Sequence, residues 1–259
     1  MYILAIDTSA SAVGAAIGNE LGLAGRLELA AGGQASETLL PLCKSLLSLS
    51  GLTLKDMDAF AVTVGPGSFT GLRIGLATAK AWAQSLGKPL VAVSTLEALA
   101  YGAYERGHLI CPILNARRGE LYAALFAEGE RLLEDMLITP EALTERLAEI
   151  GGQYLTPFAC EKSGAKRRGE WTSGQIIFCG DGLAEAGELL TSLLGEKMVR
   201  GPEQRHCFLA GATALLGRDK YLAGELSDAV LLEPAYLRLA AAEEQRYKEQ
   251  SPTEIYPHG

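Results

Sequence analysis

One stretch constrains this chain more than any other: Asp58 to Leu86, DAFAVTVGPGSFTGLRIGLATAKAWAQSL. Ala59 to Val64 is a short apolar run rich in β-formers, the mark of a buried strand. Gly65-Pro66-Gly67 breaks it, because glycine opens backbone angles closed to other residues and proline removes a donor and fixes its own φ. Ser68 or Thr70 can cap the helix that follows by accepting from its free N–H groups. The stretch reads as strand, tight turn, helix.

The predicted helix, Gly71 to Leu86, is apolar around most of its circumference. At about 100° per residue, Arg73, Lys80 and Gln84 fall in one narrow polar stripe. Gly71, Gly75, Ala79 and Ala83 recur every four residues and form a low ridge that another backbone could approach closely. Leu72, Leu76, Ala79, Ala83 and Leu86 follow the three-four spacing of a packing seam. A surface helix needs one apolar stripe about 100° wide. The excess points to packing on its own sheet and on a second body; a helix sandwiched inside its own domain would give the same periodicity.

Around this joint the chain alternates in an ordered way. Ile3–Ile6, Ala12–Ile17 and Leu23–Leu29 read as an antiparallel meander, with Asp7-Thr8-Ser9-Ala10-Ser11 and Asn19-Glu20-Leu21-Gly22 as its turns. A helix follows from about Ser36 or Thr38 to Ser50, with Pro41 in or near its first turn. Its leucines at 39, 40, 42, 46, 47 and 49 cover well over half of its circumference. Pro89–Val93 is another strand, and Ser94-Thr95-Leu96-Glu97 fits a capping box opening a helix to about Tyr104. Three antiparallel strands, then helix, strand, helix, strand is the order of a ribonuclease-H-like unit, used twice in the actin, sugar-kinase and Hsp70 superfamily. The second half reads as a degenerate echo. Leu109–Leu114 and Glu120–Phe126 form a hairpin around Asn115-Ala116-Arg117-Arg118-Gly119, and Thr139-Pro140-Glu141 opens a helix. Ile176–Cys179 is a strand, Leu183–Leu194 a helix, and an Ala/Leu-rich helix runs from about Phe208 to Leu222. The expected organisation is an α/β, two-lobe actin-like (ASKHA) fold built of two ribonuclease-H-like units, the second degenerate. The first lobe takes residues 1–105, with the segment 226–239 returning to it, and the second takes 106–225. Residues 153–173, including the basic cluster Lys162 to Arg168, are expected to form a mobile loop, and 240–259 a flexible tail.

The residues narrow the chemistry. Five scattered cysteines with no CxxC pair argue against a disulfide framework or a thiolate zinc site and for a reducing compartment. The three histidines form no HxxxH or HExxH pair, so no metal site is expected; the adjacent His206 and Cys207 are read as chance neighbours. No signal peptide or apolar run near 18 residues is visible, and a cytoplasmic location is the default. A formal charge of −8 speaks against independent tight binding to nucleic acid. Asp7, Thr8 and Ser9 stand where actin-like ATPases hold hydrated magnesium and the first phosphate loop. They are the nucleotide candidates, and with the Gly65–Gly71 turn they support an alternative reading as an ATPase or phosphotransferase. The turn DTSAS has no glycine for close backbone approach, however, and GPGSFTG lacks the Gly-Lys-Ser/Thr ending of a P-loop. Arg117 and Arg118 could contact an anion, or be solvated at a hairpin tip. No Ser-His-Asp or Cys-His arrangement is present, so no catalytic residue is expected.

Taken in order, ILAIDTSASAVGAAI, SETLLPL, VTVGPGSFTGLRIGLATAKAWA, VAVSTLEALA, NARRGELY, CGDG and EPAYLR resemble the bacterial TsaB (YeaZ) family across nearly the whole chain. The resemblance implies a non-enzymatic scaffold subunit in making the threonylcarbamoyladenosine of tRNA position 37. It implies self-association as a homodimer, pairing with the paralogous catalytic subunit TsaD, and TsaE joining that pair. TsaC would supply threonylcarbamoyl-adenylate, tRNA would be met only through the complex, and no cofactor or membrane is implied. The H-x-E-G-H metal motif of the catalytic paralogue falls on Thr95-Leu96-Glu97-Ala98-Leu99, where both histidines are replaced, so the motif cannot hold iron or zinc here. The family also implies that the helices at about 37–50 and 71–86 form the subunit bundle. The interface residues expected on that basis are Leu39, Leu42, Leu46, Gly71, Leu72, Gly75, Leu76, Ala79 and Ala83. Two features depart from the common pattern: Gln34-Ala35 replaces a frequent histidine, and the 153–173 loop is long.

Overall fold

The computed structural model describes residues 1–30, 34–104, 108–154, 175–201 and 209–238. Gln153 and Tyr154, expected to open a loop, belong to a helix. The rest of that loop with its basic cluster, the His206–Cys207 pair and the tail from 240 lie outside the described residues.

The first unit runs β1 (Tyr2–Asp7), β2 (Ala12–Asn19), β3 (Gly22–Ala30), α1 (Ala35–Leu49), β4 (Ala59–Gly65), α2 (Phe69–Leu86), β5 (Leu90–Ser94) and α3 (Thr95–Ala103). The second repeats the order with β6 (Leu109–Arg117), β7 (Glu120–Ala127), β8 (Glu130–Ile138), α4 (Pro140–Tyr154), β9 (Ile176–Cys179), α5 (Leu183–Leu194), β10 (Met198–Arg200) and α6 (Ala210–Leu222). The two five-stranded sheets have equivalent orders, β3-β2-β1-β4-β5 and β8-β7-β6-β9-β10. In each, a three-stranded antiparallel meander carries two further parallel strands on its first strand's free edge. This is the actin-like two-lobe fold.

Two strands had no clear signal. In β8, ERLLEDMLI, charges at Glu130, Arg131, Glu134 and Asp135 break the period of two, and β10 is only three residues long. With both in place the second unit is complete in its order of elements; its reduction lies in the shortness of β9 and β10.

The helices divide the molecule into layers. α1 and α2 cover one face of the first sheet over Leu4, Ile6, Phe60 and Val62, while α4 and α5 cover the outer face of the second over Cys111, Ile113 and Phe178. α3 and α6 lie between the sheets in one shared core with Ile3, Ala61, Ile110 and Phe126. α6, late in the chain, packs mainly on the first sheet. It comes very near: a Cβ on Gly217 would stand 2.5 Å from the Ala61 Cβ. α1 starts earlier than expected, so Pro41 sits inside the helix rather than in its first turn. Burial of Ala35, Leu39, Leu42, Cys43 and Leu46 in helical phase outweighs the one backbone hydrogen bond that proline removes. Among the described residues no helix is long and apolar enough to cross a membrane.

Candidate functional site

The β1–β2 turn sits beneath the strand-to-helix joint, and the two are built into each other. Asp7 ends β1 with 1% of its surface exposed. Its Oδ1 accepts from the Ser9 amide at 3.1 Å, the Ser9 hydroxyl at 2.6 Å and the Thr63 hydroxyl at 2.6 Å. Burial pushes its carboxyl above the ordinary carboxylate range, against the pull of those hydrogen bonds. Thr8 Oγ1 donates to the Gly71 carbonyl at 2.6 Å, and the Ser68 amide donates to the Ser9 carbonyl at 2.8 Å. The three nucleotide candidates are therefore brought together, but their polar atoms face the protein; Thr8 and Ser9 are each 2% exposed. A phosphate or a hydrated cation would need those same atoms. The expectation of a phosphate-facing turn does not fit this packing.

The reason lies in the glycines. Gly67, at φ 156°, has its α-carbon against Ser9, where a Cβ would stand 2.3 Å from the carbonyl oxygen. A Cβ on Gly71 would stand 1.9 Å from the Thr8 carbonyl oxygen, and one on Gly75 2.4 Å from the Thr8 hydroxyl. The low ridge read from the sequence does admit another backbone, and that backbone is the chain's own turn. Ser68, not Thr70, caps α2, accepting from the Gly71 amide at 3.2 Å.

The expected interface residues follow from the same packing. Leu39, Leu42 and Leu46 of α1, and Gly71, Leu72, Gly75, Leu76, Ala79 and Ala83 of α2, are all buried within the chain. They form the inner faces of the two helices, because the strongest seam on an amphipathic helix goes to the nearest sheet. Their side chains are therefore turned into this chain's own core rather than out to its surface.

What α2 leaves outward is a stripe of Thr70, Ile74, Ala77, Thr78, Ala81 and Ser85, exposed or half-buried and without a charge. Beside it α1 exposes Leu40 and Leu49, at 53% and 80%. The polar stripe of α2 is occupied by the C-terminal segment. Lys80 Nζ donates to the carbonyls of Val230 at 3.0 Å and Leu232 at 2.9 Å, and Gln84 donates to that of Ala229 at 3.2 Å. Arg73 lies over the Phe69 ring at 3.8 Å and donates to the Tyr236 hydroxyl at 3.0 Å. The spacing of Arg73, Lys80 and Gln84 marked this stripe; its occupant, 150 residues downstream, carried no periodic signal.

At the position of the paralogue's metal motif, Thr95 is fully buried and its hydroxyl has no hydrogen-bond partner among the described residues, while Leu99 is in the shared core. Glu97 pairs with Lys220 of α6 at 3.2 Å, and so does not complete the capping box; Ser94 caps alone, accepting from the Glu97 amide at 3.3 Å. Among the described residues no group of three His, Cys, Asp or Glu side chains could hold a metal ion. Two open grooves of about 350 and 280 Å³ lie between β3 and α1, and neither is lined by Asp7, Thr8 or Ser9.

The TsaD family model, described as tRNA N6-adenosine threonylcarbamoyltransferase, matches residues 29–246. The tRNA threonylcarbamoyladenosine biosynthesis protein TsaB of Bacillus subtilis is 32% identical over 243 residues, covering 94% of this chain and 96% of that protein. TsaB of Escherichia coli is 33% identical over 163 residues, 60% of this chain and 70% of that protein. A crystal structure from Pseudomonas aeruginosa, described by its similarity to peptidase YeaZ, superposes with a TM-score of 0.69 at 25% identity, covering 92% of this chain and 99% of that one. By sequence over nearly its whole length and by fold, the chain belongs to the TsaB (YeaZ) family.

Proposed function

We propose that this protein is a non-catalytic partner subunit in forming threonylcarbamoyladenosine in tRNA, working in the cytoplasm. In this reading it pairs with itself and with the catalytic paralogue TsaD through the outward stripe of α2 and the adjoining face of α1. TsaE joins through TsaD, and tRNA is met only in the assembly. One observation carries the reading: the turn that would hold phosphate and metal in an actin-like ATPase is spent on internal hydrogen bonds, with Thr8 pressed under Gly71 and Gly75. An uncharged helix stripe beside it that the described residues leave uncovered has the chemistry of a docking surface.

Reconstitution tests this. Threonylcarbamoyl-adenylate and unmodified tRNA are incubated with this chain alone, with TsaD and TsaE alone, and with all three. The expected result is no product from the chain alone and a large gain when it joins the other two. Product formed by the chain alone, or magnesium-dependent ATP hydrolysis abolished by Asp7→Ala, would contradict it.

A further inference from the structure

Residues 226–238 touch both lobes in succession. The Ser227 amide donates to the Leu90 carbonyl on β5 at 2.8 Å, and Lys80 of α2 holds the Val230 and Leu232 carbonyls. Further on, the Ala235 amide donates to the Val64 carbonyl at 2.7 Å, and the Tyr236 ring stacks on Phe69 with centroids 4.6 Å apart. These contacts are on the first lobe. Two residues later Arg238 reaches the second, donating to the Ala116 carbonyl and the Glu120 carboxylate at the β6–β7 hairpin tip. Its side chain is 15% exposed, so this ion pair is shielded better than an ordinary surface pair.

The repeat of the fold gives this path its meaning. The β6–β7 turn is the second unit's counterpart of the β1–β2 turn, since both join the first two strands of equivalent sheets. The segment runs from the Gly65 turn, packed on Ser9, to that counterpart. It thus links the strand-to-helix joint that rests on the first turn to the second unit's counterpart of that turn.

We infer that residues 226–238 are a clasp that ties α2 of the first lobe to the β6–β7 hairpin of the second. Releasing either end loosens the other, because the run from Leu232 to Arg238 is short and its contacts at Val64 and Phe69 are held in place from both sides. The inference stands on these contacts and does not depend on what docks at the outward stripe of α2.

Hydrogen–deuterium exchange of the full chain tests it, with Lys80→Met cutting the first-lobe end and Arg238→Ala the second. Tyr236→Phe keeps the ring and removes only the hydroxyl, as a milder release should either variant fold poorly. The expected result is reciprocal. Lys80→Met speeds exchange at Arg117 and its turn neighbours about tenfold, and Arg238→Ala does the same at Ala235 and Ser227. The double variant then exceeds the larger single effect by no more than about twofold, as coupled sites require. Changes confined to the lobe carrying each substitution, with additive effects in the double variant, would overturn it.

Discussion

At the scale of single residues, the absence of one carbon decides how the first lobe closes. Gly71 and Gly75 let α2 settle onto Thr8, and a Cβ on Gly71 would stand 1.9 Å from a backbone carbonyl oxygen that cannot swing away. Gly71→Ala gains about 1 kcal/mol of intrinsic helix propensity. It nevertheless loses about 2 kcal/mol overall, because overpacking against backbone costs more; urea unfolding measures the difference. Asp7 gives a signed pH dependence. Its carboxyl is raised by burial, so the folded state favours the proton. That contribution is complete below the unfolded value of about 3.9 and is lost as pH rises through the folded value. Asp7→Asn removes the titration, so its stability relative to the parent improves as pH is raised across that interval; unfolding midpoints at a series of pH values follow it. Thr95 carries a buried hydroxyl with no partner among the described residues. Thr95→Val keeps the shape and removes the desolvated group, and gains about 1 kcal/mol, read in the same unfolding assay.

At the scale of elements, legibility followed period and length. The joint from β4 to α2 was plain because Ala59–Gly65 is a continuous apolar strand and GPG has few backbone solutions. β8 was not, since an edge strand with four charges obeys no clean alternation, and a three-residue strand such as β10 has no period at all. The site was half legible. Periodicity placed Gly71, Gly75, Ala79 and Ala83 on one ridge, but it cannot say which of two bodies that ridge meets. The polar stripe resolves the geometry of α2: Arg73, Lys80 and Gln84 meet the C-terminal segment, the ridge meets the β1–β2 turn at Gly71 and Gly75 and the sheet core at Ala79 and Ala83, and the Ile74–Ala77–Ala81 stripe remains outward. Ala77→Glu places a charge in the middle of that stripe, where it touches no core. It leaves the thermal midpoint within about a degree of the parent, as surface substitutions do, while a central, desolvated contact loses about 2 kcal/mol or more of pairing energy.

At the scale of the whole molecule, two equivalent sheets share one core through α3 and α6, and this union is read from burial rather than from chain order. A boundary drawn at residue 105 leaves α6 in the second segment, although it packs mainly on the first sheet. Such a crossing is invisible to local pattern, because the small residues of α6 that permit it, Ala210, Ala214 and Gly217, face Gly14, Gly18 and Ala61 far away in sequence. On the proposed function, the turn at Asp7–Ser9 is closed from within and the outward face of α2 serves assembly. Isothermal titration of the catalytic paralogue TsaD into this protein, parent against Ala77→Glu, tests it most directly. The account predicts saturable binding to the parent and at least a tenfold weaker affinity for the variant at unchanged fold. Equal affinity for both would contradict it.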